Sequence, residues 1–143
     1  MKLTNLKFVV SCIVFLCLVY VFTERDNSNV KQETLPEGAI VKINLPSQLS
    51  ELSQSGKTLF EAICATCHGR NAVGKRNVAP PLVHKIYEPS HHGDESFQLA
   101  VLMGVKAHHW KFGNMPAIEG LNRKQVEKIN LYRRELQKAN NIF

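Results

Sequence analysis

After Cys67 the sequence has no cysteine, and after Thr23 it has no long apolar run. The first absence excludes a zinc site built from two cysteine pairs in the folded part of the chain. It also excludes a disulfide framework, because the other two of the four cysteines, Cys12 and Cys17, lie in the N-terminal apolar segment and read there as small hydrophobes. No βαβ pattern surrounds Cys64 and Cys67, which sets aside a thioredoxin-like redox pair. There is no internal repeat and no low-complexity tract, so 143 residues leave room for one small domain and an appendage. Acidic residues are in deficit, 12 against 18 Lys+Arg, for a net charge of +6. From residue 50 onward there are 13 basic and 8 acidic residues. They are scattered and no nucleic-acid motif accompanies them, so the charge points to an acidic protein partner rather than to nucleic acid.

What is present begins with an uncharged stretch from Phe8 to Thr23, behind Lys2 and Lys7. As a helix it is about 24 Å long, short of the ~20 residues a membrane span wants. Leu3 to Leu6 bring it near that length if Lys7 snorkels to the headgroups. Bulky residues follow the stretch where a signal peptidase wants small ones. Residues 1–23 are therefore expected to be an uncleaved anchor; the alternative is a cleaved signal and a free periplasmic domain. Either way the rest of the chain is expected on the periplasmic side of the inner membrane. Residues 24–49 are polar, hold Pro36, Gly38 and Pro46, and read as a linker. A short extended piece is expected at Ala39–Ile43. If flexible, the linker spans roughly 28 Å. Residues 50–140 are expected to form the folded domain.

The chemistry centres on Cys64-Ala65-Thr66-Cys67-His68. Two thiols three positions apart on one helical turn face the same way, so each can add to one vinyl group of a haem. The adjacent histidine is then held under the iron. C-x-x-C-H is the signature of this covalent attachment. A mixed zinc site needs two further ligands, and His84, His91, His92, His108 and His109 lack a histidine spacing matched to the cysteine pair, leaving only distant convergence. Ser55 to Cys64 reads as a helix running into the motif, capped by Ser53 or Ser55, with Leu59, Phe60 and Ile63 on or near one face. Gly69 ends it.

A second axial ligand is expected from methionine, whose thioether favours ferrous iron. Met115 lies in the loop Phe112-Gly113-Asn114-Met115-Pro116, where proline and glycine punctuation lets a side chain point inward without disturbing a helix. Met103 lies in a periodic stretch from Asp94 to Val105 and is expected to fill core. His108 or His109 as the axial ligand is the minor alternative. The pairs His91-His92 and His108-His109 also carry a weak signal for an exogenous metal. Val126, Ile129, Arg133 and Leu136, with Tyr132 beside them, make one face of a C-terminal helix near Lys124–Ala139.

In this order of elements the chain resembles class I cytochromes c over about residues 50–140. The resemblance rests on Gly56 and Phe60 before the Cys64–His68 motif, then Ala79-Pro80-Pro81-Leu82, then Gly113-Asn114-Met115-Pro116, then the helix with Ile129 and Tyr132. It implies an all-α cytochrome c fold around one covalent haem c and its iron. It implies a Pro80 carbonyl bonded to His68, and Gly56 meeting Tyr132 where the first and last helices cross, with Phe60 and Ile129 nearby. Trp110 is a candidate haem-edge or propionate contact, or plain packing. The implied function is outer-sphere electron transfer between redox proteins associated with the membrane, without a small-molecule substrate or enzymatic turnover. Lys75, Arg76, Lys85 and Lys111 are the candidate docking charges. Two rivals remain: a haem-based sensor with an open sixth position, and an electron-donating subunit of a larger respiratory enzyme.

Overall fold

A computed structural model describes residues 36–143; the expected anchor and the first part of the expected linker lie outside the described residues. Among the described residues no helix is long and apolar enough to cross a membrane. The fold is built from helices α1 (Glu51–Ile63), α2 (Ala65–His68), α3 (Asp94–Met103) and α4 (Arg123–Ala139), with single 3₁₀ turns at Arg70–Ala72 and Lys85–Tyr87. No strand occurs among the described residues; two isolated antiparallel bridges join Lys75 to Ala79 and Val105 to Met115.

Helix α1 starts earlier than its apolar spacing predicts. Ser50 is the cap, accepting from the Ser53 N–H at 3.3 Å, and its hydroxyl donates to Glu135 at 2.6 Å. Ser53, an expected cap, is instead buried in the helix interface. Helix α4 opens on a capping box in which Asn122 and Gln125 satisfy each other's backbone N–H groups.

The core sits where α1 crosses α4. Phe60, Ile129, Tyr132 and Leu136 are buried there with Ala72 and Val83. The Phe60 and Tyr132 rings lie 5.7 Å apart at 60°, a tilted aromatic pair. Gly56 lets the two backbones approach: a Cβ at that position would run into the Lys128 carbonyl oxygen and lie 3.1 Å from the Ile129 nitrogen. The glycine's partner is thus the α4 backbone at Lys128, one turn before Tyr132, because the clash is with main chain and not with a ring.

The Tyr132 hydroxyl donates to Asn71 Oδ1 at 3.0 Å. Burial, and secondarily the Glu61 carboxylate, push the phenol well above its ordinary 10.0, with Arg70 opposing; burial moves Tyr87 the same way. A raised folded-state value means the stabilisation is fully present below the unfolded value and is lost as pH rises through the folded one. Denaturant melts from about pH 8 to about 12 are expected to show stability falling above pH ~10. Tyr132→Phe should flatten part of that fall while costing ~1 kcal/mol at neutral pH for the lost hydrogen bond. An unchanged alkaline slope in the variant would show that Tyr132 is not the group responsible.

A polar clasp holds α3 to α4. Arg133 is 1% exposed, its guanidinium 3.5 Å from the Phe97 ring centroid and 3.2 Å from Asp94 Oδ1. The sequence predicts only that its stem lines the core; instead the whole side chain is buried. Arg133, Arg134 and Gln137 all donate to the Tyr87 carbonyl, at 3.3, 2.9 and 2.9 Å. Helix α3 is tied mainly at this N-terminal end and contributes no fully buried residue. Met103 and Leu102, at 66% and 70% exposure, pack on no other protein side chains of the core cluster.

Residues 36–49 lie against the domain. Ile40 and Val41 donate to the Val73 carbonyl, both at 3.2 Å, and Asn44 and Asn140 exchange hydrogen bonds of 2.7 and 2.8 Å. Ile43 and Leu49 pack on the core. This stretch forms no strand, because its amides bond to a turn and to the end of α4.

Candidate functional site

Cys64 is both the C-cap of α1 and the N-cap of α2. Its N–H reaches the Phe60 carbonyl at 2.8 Å, and its own carbonyl accepts from Cys67 and His68 at 3.1 and 2.9 Å. Both thiols of the motif are free. Cys64 packs against the cluster that holds Phe60 and Tyr132, so the helix crossing backs the motif directly. Burial, with Cys67 adding to it, pushes the Cys64 thiol up to about 11.

His68 Nδ1 lies 2.9 Å from the Pro80 carbonyl oxygen. A carbonyl can only accept, so Nδ1 carries the proton and Nε2 keeps its lone pair. Burial lowers the imidazole's pKa and the Pro80 bond partly offsets this, which keeps the ring neutral and able to ligate. The loop between them is closed by the Gly74 N–H on the His68 carbonyl at 2.7 Å.

Met115 is half-buried, and its backbone is fixed more firmly than Pro116 alone would fix it. Its N–H and C=O both pair with Val105, each at 2.9 Å. Gly104 makes the pairing possible: it has φ +76, and a Cβ there would press on the Met115 carbonyl oxygen at 2.5 Å. Trp110 is half-buried between His84, at 5.1 Å edge-on, and Phe112, at 5.9 Å stacked. Its indole N–H is buried without a hydrogen bond of good geometry, although the Tyr87 phenol feels it.

These residues fit a covalently held haem. There are two free thiols on one turn, a neutral histidine with an anchored tautomer, and an orphaned buried donor suited to an anionic edge group. Helix α3 adds apolar side chains, Leu99, Leu102 and Met103, at 40%, 70% and 66% exposure, area that an apolar cofactor would cover. Lys75, Arg76, Lys85 and Lys111 are all exposed, and Lys75 Nζ reaches the Thr66 carbonyl inside the motif at 3.4 Å.

Three residues that support this site went unread in the sequence. Asn71 sits at φ 55, takes the Tyr132 hydroxyl, and donates its N–H to Glu61 at 2.9 Å, pinning the turn after His68 to both long helices. Gly104 and Val105 set the backbone of Met115. A glycine closing α3 was the available signal for the second pair; nothing local marks Asn71.

Compared with known families, residues 53–137 match the family model for Cytochrome c. Neither the curated proteins nor the solved structures give a match.

Proposed function

Since the chain belongs to the cytochrome c family, with covalently bound haem c and its iron serving electron transfer, we propose that it is a one-electron carrier with a single haem held by Cys64 and Cys67 and ligated by His68 and Met115. When bound, the haem supplies an iron centre that cycles between ferric and ferrous. The chain's residues do the rest. His68 presents Nε2 because Pro80 holds Nδ1–H, and that same bond sets the ring's angle and donor strength. Met115 offers a soft sulfur from a loop fixed to Val105. With His68 and Met115 as its protein ligands, bound iron would have no open position for a substrate, which supports a carrier rather than an enzyme. Trp110 is the proposed donor to a propionate.

The observation that carries this reading is the 2.9 Å His68–Pro80 bond beside two free thiols on the adjoining turn. Exposed Lys75, Arg76, Lys85 and Lys111 favour an acidic redox partner and short-lived docking. Residues 1–23 support an exported carrier tethered to the membrane beside respiratory partners, a proposal from sequence alone.

Mass spectrometry of the chain matured with its export machinery is expected to give the polypeptide plus one haem, retained after denaturation, and the same spectrum reads whether residues 1–23 remain. Replacing Cys64 or Cys67 by alanine leaves one thioether, and the double variant loses the haem on denaturation. A colourless product with the bare polypeptide mass would defeat the proposal.

A further inference from the structure

Away from the Cys64–His68 motif, four histidines from two segments meet at the surface. His91 and His92 come from the turn before α3; His108 and His109 come from the loop between Val105 and Met115. His91 and His109 bring their Nε2 atoms to 3.3 Å of each other. A nitrogen from each of His91, His92 and His109 lies within 4.8 Å of the other two. A zinc–nitrogen bond of ~2.05 Å in tetrahedral geometry sets neighbouring ligand nitrogens about 3.3 Å apart. The His91–His109 pair already has that spacing, and a His92 nitrogen lies within 4.8 Å of both.

The rings are also prepared for ligation. His92 Nδ1 lies 2.7 Å from the Ile86 carbonyl oxygen, so that nitrogen donates and Nε2 is left with its lone pair. This is the outer bond that metal-binding histidines make. His108 makes the same kind of bond to the Lys106 carbonyl at 2.9 Å, and its ring lies 4.2 Å from that of His109. His91 and His109 are solvent-exposed, giving an ion a path in.

We propose that His91, His92 and His109 form a second metal site, separate from the haem, that takes one divalent d-block cation of the zinc or copper(II) class. Three imidazoles and an open fourth position suit these ions and not calcium or magnesium, which want oxygen ligands. The two contributing segments are apart in sequence, so a bound ion cross-links the turn before α3 to the loop that leads to Met115. Ion binding and the order of that loop are then coupled, each favouring the other. The site depends on no haem ligand and stands independently of the axial assignment of Met115.

The test is equilibrium dialysis of the haem-loaded full chain against zinc sulfate in a non-chelating buffer. One zinc per chain is expected, with His91→Gln and His109→Gln each weakening binding at least tenfold. Copper(II) in the same site is expected to show nitrogen hyperfine structure from several imidazoles. Zinc binding of equal strength in the His91→Gln/His109→Gln double variant overturns the proposal, as does the absence of binding by the unmodified chain at about 1 mM zinc, a concentration that weak surface sites already require. If the variants lose their fold, diethyl pyrocarbonate footprinting of the unmodified chain decides. Zinc should slow modification at His91, His92 and His109, and equal rates with and without zinc overturn the site.

Discussion

Met115→Ala is expected to abolish the weak near-infrared sulfur-to-iron band of the ferric protein and to open the ferrous form to carbon monoxide. It should also lower the reduction potential by on the order of 0.2 V, a fraction of the ~0.8 V range that axial ligands command. The covalently attached haem should be retained, because its attachment would rest on Cys64 and Cys67, which the substitution leaves in place. The backbone at position 115 should also persist. It is held by two hydrogen bonds to Val105 and by the close approach of Gly104, none of which uses the side chain. The substitution therefore removes a donor atom and leaves its mount. Met103→Ala is the matched comparison: it removes the other methionine sulfur of the described residues, and the band should stay in place. If Met103→Ala removes the band, the ligand assignment moves to α3. If the unmodified ferrous protein binds carbon monoxide readily, the sixth position is labile and the sensor reading replaces the carrier.

What was legible in the sequence follows from how local each signal is. The Cys64–His68 motif is a covalent requirement written in five consecutive residues, and no tertiary context is needed to read it. The Pro80 carbonyl comes from the resemblance, and the structure brings it to His68 at 2.9 Å. Helices α1 and α4 announce themselves by apolar spacing, although the true cap of α1, Ser50, lies three residues before the nearer expected one because its partners, Ser53 and Glu135, are a turn away and across the fold. The misreadings share a cause. Met103 looks like protein core because it follows an apolar period, yet with Leu99 and Leu102 it lies on the face of α3 that an apolar cofactor would cover. Arg133 reads as a stem laid along the core face of its helix, yet its charge is buried too and is satisfied by Asp94, Asn130 and the Tyr87 carbonyl, residues from separate segments. The histidine cluster assembles across 18 residues of chain, so two adjacent pairs carry only a weak signal until the loops are folded together. Each case depends on a partner distant in sequence, which periodicity does not encode.

Gly56→Ala is where two physical effects of opposite sign can be weighed. Within an exposed helix the change should stabilise by up to ~1 kcal/mol, since glycine costs that much relative to alanine. At the α1–α4 crossing, however, the new methyl would occupy the space of the Lys128 carbonyl. Its obstacle is backbone inside a helix, which cannot rotate aside as a side chain would. The helices must part, and with them the packing of Phe60 on Tyr132, 5.7 Å apart, and the support behind Cys64. Overpacking of a rigid core costs ~1–3 kcal/mol and sometimes more, so a net loss of at least ~2 kcal/mol is expected here. Against a total stability of ~5–15 kcal/mol that is a large share, equivalent to a fall in Tm of roughly 10 °C for a domain of this size. Thermal melts of the haem-loaded protein read the sign directly. Ser55→Ala, on the exposed side of the same helix, should move Tm by little and upward. A Gly56→Ala variant that melts at or above the unmodified protein would mean the two helices do not meet at this glycine, and the packing that backs the Cys64–His68 turn would have to be drawn differently.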